Sequence, residues 1–194
     1  MTPPFPPPIP DVPEYRPLTV REFTRLAGDG AFAGEQVELI QGVIVPIPVE
    51  DPVHVACVAA SVAALRRCYP EPERVRLNVR LTVSDHSAPV VDCLVCKVSP
   101  PPAELGAVEV LVAVEVTDAS RRLDLGSKAR LYATAAIPNY LVIDAGKAQV
   151  HAFASPIDGL YTRHDIQGRG AEMTLPEATC LLAASDLFAT VPTA

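Results

Sequence analysis

A mixed α/β domain, with a central sheet covered by helices, is the fold class this sequence predicts. Three observations carry the expectation. The runs "RVRLNVRLTV", "PVVDCLVCKV" and "EVLVAVEVT" follow one another as strands, and the last two are almost continuously apolar, as in strands covered on both faces. Helix-start signals stand ahead of alanine- and leucine-bearing stretches on either side of these runs. Another buried strand, "NYLVID", then follows a helical segment, so strands and helices interleave along the chain.

Taken in order, the elements justify themselves locally. Seven of the 21 prolines fall in "MTPPFPPPIPDVP", so residues 1–16 read as an extended, poorly ordered tail preceding one domain over 17–194. Thr19 and Glu22 have capping-box spacing, which starts a short helix through "TVREFTRLAG", closed by Gly28. "VELIQGVIVPIP" predicts a hairpin turning at Gln41 and Gly42. Asp51 and Pro52 occupy N-cap and first-turn positions for a helix from His54 to Tyr69, alanine-rich and apolar on most sides until Arg66. After the three strands, Asp118 or Ser120 caps a helix through "RLDLGSKARLYATAA". "KAQVHAFAS", "GLYTRHDIQ" and "AEMTLP" read as further strands, with a last short helix around Ser185 to Ala189.

Composition narrows the function classes. With 49% hydrophobic and 20% charged residues the chain is an ordinary globular one, and its longest helical apolar stretch, "VACVAASVAAL", is too short to span a bilayer. The start has no basic region and no uninterrupted apolar segment, so it predicts no signal peptide; the cytoplasm is the expected compartment. Five cysteines without secretory features predict reduced thiols. Cys93 and Cys96 form C-x-x-C, but an offset of three in a strand points them to opposite faces. A net charge of −7 argues against indiscriminate coating of nucleic acid. Nine of the sixteen basic residues nevertheless lie in two windows: Arg66, Arg67, Arg74, Arg76 and Arg80, then Arg121, Arg122, Lys128 and Arg130. Each window reads equally well as a solvated face or as a phosphate-contacting surface.

The chemistry lies in acids placed where burial is expected. Glu38 stands in "VELI", Asp92 in "VVDCLV" and Glu115 in "LVAVEVT". An unpaired carboxylate removed from water costs several kcal/mol after relaxation, so each needs a proton, a cation or a strand-end position. If the three converge, hard oxygen donors without histidine or cysteine suit Mg²⁺ or Mn²⁺. By strand parity Glu115 shares a face with Leu111, Ala113 and Thr117, and Asp92 with Val90, Leu94 and Cys96. Lys128, thirteen residues after Glu115, can return over the acids from the following helix. No Gly-rich phosphate loop or serine-nucleophile motif is present.

The segments "VELIQGVIV", "DPVHVACVAASVAALRR", "NVRLTV", "PVVDCLV", "LVAVEVTDAS" and "RLDLGSKARLYATAAIPNYLVID" together resemble the Uma-two family, a branch of the PD-(D/E)xK nuclease superfamily. The resemblance implies a restriction-endonuclease-like fold, a mixed central β-sheet flanked by α-helices. It also implies a DNA endonuclease dependent on Mg²⁺ or Mn²⁺. Asp92 then matches the metal-binding aspartate, Glu115 the acid of the half-motif and Glu38 the glutamate given by the first hairpin. The carbonyl of Val116 is implied as a further metal ligand. The superfamily's lysine normally falls where this chain has Thr117; in this family it moves to the next helix, where Lys128 matches it.

His54 matches a histidine common in the family and reads as a structural or outer-layer residue. Thr117, Ser120, Arg121 and Arg122 are candidates for a supporting or DNA-facing role, and Asp124 for holding the helix start or pairing with Arg121. Four departures stand out: Val91 replaces the usual proline, Gln41 and Val43 replace acids at the hairpin turn, and Ala136 stands where glycine is common. DNA is the implied partner, with a homodimer as a candidate assembly. The alternative function is a non-catalytic DNA- or protein-binding module on a nuclease scaffold.

Overall fold

The computed structural model describes residues 16–49, 51–102, 105–117 and 122–188. The tail expected over 1–16, all but Arg16, lies outside them, as do Asp118, Ser120 and Arg121 with the helix cap expected there.

The first helix, α1 (Val20–Gly28), begins as its sequence dictates, with Thr19 and Glu22 forming a reciprocal capping box. A hairpin follows, β1 (Val37–Ile40) and β2 (Val43–Pro46), paired antiparallel. Its turn needs Gly42, which has φ +78° and lies so close to Pro17 that a Cβ there would approach the proline Cβ to 2.2 Å. Asp51 caps α2 (Pro52–Cys68) by accepting from the His54 N–H at 2.8 Å.

Six strands then build the central sheet: β3 (Val75–Arg80), β4 (Val90–Cys96), β5 (Val110–Thr117), β6 (Asn139–Asp144), β7 (Gln149–Ile157) and β8 (Leu160–Gly168). They lie in chain order, β3-β4-β5-β6-β7-β8. All neighbours are antiparallel except β5 and β6, whose parallel pairing requires a long crossover. That crossover carries a π-helical turn, Leu123–Lys128, running into α3 (Ala129–Thr134). A two-residue pair, β9 (Glu172–Met173) with β10 (Leu182–Ala183), completes the described fold.

Two cores sandwich the sheet. On one face α2 packs Cys57, Val58, Val62 and Leu65 against Val112, Val114, Val116 and the C-terminal Leu182 and Leu187. On the other, Ala129 and Tyr132 pack against Leu94, Ala113, Tyr140 and Val142. Cys93 falls in the first core and Cys96 in the second, as their offset of three requires. The hairpin is bracketed to the sheet edge by a Leu39–Ala88 bridge and by Arg80, which donates to Val37 O at 2.9 Å and Ala88 O at 3.3 Å beneath Phe23.

Several expectations are corrected. The α2 helix, which its apolar composition on most sides would lead one to expect well buried, is buried along one stripe only, with Val53 and Val55 exposed. Leu111 does not share the face of Ala113: Val95 pairs with Val112 and Cys96 with Val110, so Leu111 is an extra residue that turns into the α2-side core. The helix expected through "RLDLGSKARLYATAA", from Arg122, is π-helical over Leu123–Lys128. Cys68 and Cys180 are joined by a disulfide spanning 112 residues, against the expectation of reduced thiols, while Cys57, Cys93 and Cys96 are free and buried. No helix among the described residues is long and apolar enough to cross a membrane.

Candidate active site

Local pairing explains how the acids meet. Extending the Cys93–Val114 register by one step sets Asp92 directly opposite Glu115, on the same face. The ladder stops there, and the Asp92 carboxylate replaces the missing rung: its Oδ2 accepts from the Val116 N–H at 2.7 Å. Glu38 enters from the hairpin and is fixed the same way, with Oε2 accepting from the Val90 N–H at 3.0 Å. The four expected side chains thus converge at one end of β4 and β5.

Lys128 closes the cluster from the crossover. Its Nζ lies 3.1 Å from Glu115 Oε1, 3.4 Å from Glu38 Oε2 and 3.7 Å from Asp124 Oδ1, and also donates to Val90 O at 3.5 Å. Relative exposures of 3% for Glu38 and Glu115, 2% for Asp124 and 5% for Lys128 make this a buried ionic group. Asp124 pairs with Lys128 in the same turn, while Arg121, the partner expected for it, lies outside the described residues.

Tyr132 is a member of the site that the sequence reading missed. Its hydroxyl donates to Glu115 Oε1 at 2.8 Å, on the oxygen that also receives Lys128. Its position four residues after Lys128, on the same helical side, was the available signal. Tyr140 packs edge-on against Tyr132 and donates to Asp124 O at 3.1 Å, bracing the turn that carries the lysine.

The charges are unevenly held. Burial, aided by Asp92, Asp124 and Glu38, raises the Glu115 carboxyl well above its ordinary range despite the nearby ammonium. Desolvation lowers Lys128, but Glu115, Glu38, Asp124 and Asp92 together outweigh it and hold the ammonium protonated. Burial likewise pushes up the Tyr132 hydroxyl, with Glu115 adding to the shift, so it remains a donor. One lysine is too little positive charge for the surrounding acids.

The remaining candidates fall around this cluster. His54, in the first turn of α2, brings Nε2 to 3.5 Å from Asp92 Oδ1. Thr117 is fully buried beside Asp144 of β6, and Arg122 is exposed. Of the basic windows, Arg74 is buried on Glu71, Glu177 and Cys96 O, and Arg67 pairs with Asp186. Much of the first window is therefore structural. His151 and His164, which share no ligand spacing in sequence, stack with their ring nitrogens 3.0 Å apart.

The site opens into a cleft of about 1120 Å³ whose walls include Glu38, Asn78, Arg80, Asp92, Glu115 and Lys128. Among the described residues no three of the types His, Cys, Asp and Glu are grouped to hold an ion. Mg²⁺ does not demand that, since it commonly takes one or two carboxylates with substrate oxygens and waters. Asp92 and Glu115, level on one face and opening to the cleft, meet that donor chemistry, and the surplus of negative charge favours a divalent cation.

Comparisons with known proteins bear on the family and the fold. The Uma2 family, described as "Putative restriction endonuclease", matches residues 20–184. None of the curated proteins matches the chain. A crystal structure of "a putative nuclease belonging to DUF820" from Anabaena variabilis ATCC 29413 is similar at a TM-score of 0.71 and 20% identity, covering 89% of this chain and 98% of that one. At that identity the likeness establishes the fold.

Proposed function

The chain belongs to the Uma2 family, and from that premise we propose that it is a metal-dependent DNA endonuclease hydrolysing phosphodiester bonds. The observation that carries the reading is the meeting of Asp92, Glu115 and Lys128 at the mouth of one cleft. Asp92 and Glu115, with the Val116 carbonyl, hold Mg²⁺ or Mn²⁺. When bound, the ion supplies a Lewis acid for the phosphate and lowers the pKa of a coordinated water.

The chain's own residues do the rest. Asp92 is fixed by the Val116 N–H and so presents its other oxygen without a search for rotamers. Lys128 orients the attacking water and offsets the charge that grows on the phosphoryl oxygens. Glu38, although implied as a metal ligand by the family resemblance, has Oε2 on the Val90 N–H and within reach of Lys128, so here it holds the lysine in place. Tyr132 steadies Glu115 through the oxygen that Lys128 also reaches. The family's description, "Putative restriction endonuclease", supports DNA as the substrate.

Cleavage of supercoiled, linear duplex and single-stranded DNA with Mg²⁺ or Mn²⁺, comparing wild type with Asp92→Ala, tests the proposal. Metal-dependent cleavage that disappears in the variant supports it. Metal-independent DNA binding without cleavage, unchanged by Asp92→Ala, would replace it with the alternative of a non-catalytic binding module.

A further inference from the structure

Along β3 the pairing to β4 holds at Leu77–Cys93 and at Val79–Val91 but lapses between them, at the rung where Asn78 faces Asp92. Asn78 is in the left-handed region, with φ +48°. Side chains rarely adopt that backbone, and asparagine tolerates it better than most. The sheet is therefore opened at the very rung that carries the candidate metal-binding aspartate. Such distortions cluster where a ligand is handled.

The surroundings indicate what the asparagine handles. Asn78 is exposed and lines the cleft with Asp92, Glu115 and Lys128. The cationic groups of that cleft are already engaged, Arg80 with two carbonyls and the Phe23 ring, Lys128 with its carboxylates. A polyanion entering along β3 would meet the Asn78 carboxamide as a further donor on that wall. An arginine or lysine at 78 would pair with Asp92 across the rung and compete with a metal ion, and an acid would repel phosphate. A carboxamide donates to phosphate without either penalty, and such contacts position nucleic acid without reading its sequence.

We propose that Asn78 is a substrate-contacting residue, its Nδ2 amide donating to a non-bridging oxygen of the phosphodiester beside the one that is cleaved. This rests on the nuclease reading and adds to it a position on the β3 wall of the cleft. Facing Asp92, Asn78 meets the sugar–phosphate strand undergoing cleavage before any base edge. The contact is the same in ground and transition states, so it acts on KM rather than on kcat.

Asn78→Gly separates the amide from the backbone, because glycine accepts φ +48° without strain. Steady-state cleavage of several duplexes of unrelated sequence is measured for wild type, Asn78→Gly, Asn78→Asp and Glu115→Gln, with thermal melting of each. A hydrogen bond to a charged oxygen corresponds to a loss on the order of 10- to 100-fold in affinity. Asn78→Gly is expected to raise KM by about tenfold or more on every duplex, with kcat within about twofold and no loss of melting temperature. Asn78→Asp is expected to raise KM further by like-charge repulsion.

Wild-type KM in Asn78→Gly, while Glu115→Gln is inactive, overturns the assignment of Asn78 and leaves the nuclease reading intact. A KM change confined to some sequences overturns the phosphate contact in favour of a base edge. A lowered melting temperature with proportionate loss of kcat overturns it in favour of a structural role. Absence of cleavage in the wild type removes the nuclease reading and this contact with it.

Discussion

Replacing Lys128 by methionine keeps most of the side chain's length and removes its charge, which isolates what the ammonium does for the fold. Glu115, Glu38 and Asp124 lie 3.1, 3.4 and 3.7 Å from Nζ, with side-chain exposures of 3, 4 and 2%. Water cannot take over from the lysine at such burial. Breaking a buried ion pair from one side costs roughly 3–5 kcal/mol. For a chain of this length each kcal/mol moves the melting temperature by about 2–4 °C, so a drop of roughly 6–20 °C is expected at neutral pH. The loss should shrink as pH falls, because protonating the orphaned acids removes the uncompensated charge. Urea unfolding and thermal melting of both proteins at several pH values measure this. Stability within about 1 kcal/mol of wild type at neutral pH, where surface changes ordinarily fall, would refute the claim that the acids depend on Lys128.

Two other substitutions follow from the same reasoning. Glu115 has a folded pKa raised above its unfolded value of 4.5, so its ionisation opposes folding increasingly as pH climbs above that value. Glu115→Gln should accordingly be more stable than wild type at neutral and mildly alkaline pH, with the gain vanishing near pH 4, and should lack the melting-temperature rise expected of the wild type on adding Mn²⁺; equal stability across that range would count against the shift. Gly42→Ala would force a Cβ against Pro17 and place alanine at φ +78°, so a destabilisation of roughly 1–3 kcal/mol is expected in denaturant unfolding, and a neutral result would show that the hairpin turn relaxes freely.

How much of this was legible in the sequence depended on whether the signal was local. The capping box at Thr19, the Asp51 cap and the hairpin at Gln41 and Gly42 are short-range patterns, and each stands where the residues place it. The face shared by Asp92 and Glu115 follows from alternation along two strands, although that alternation says nothing about register. Leu111 escaped because an extra residue in a strand leaves no trace in an apolar run. The pairing of Cys68 with Cys180 depends on where the chain returns 112 residues later. Asp124 and Tyr132 were harder still: Asp124 pairs with a lysine on its own turn and Tyr132 donates to Glu115, so the role of each comes from acids on distant strands. Local chemistry thus announced the elements, while the second layer of the site was set by packing between them.

The π-helical turn from Leu123 to Lys128 has a genetic consequence. A π turn holds one residue more than the α-helix it interrupts, so this segment is one codon away from regular winding. Gly126 carries no side chain, so loss of its codon would remove no side-chain contact. The shortened stretch would bring Asp124 one residue nearer to Lys128 along the chain and so change the spacing at which the two now pair. Inactivation along a lineage could therefore come by a three-base deletion that spares both cores, and reinsertion of a single small residue would be enough to reverse it.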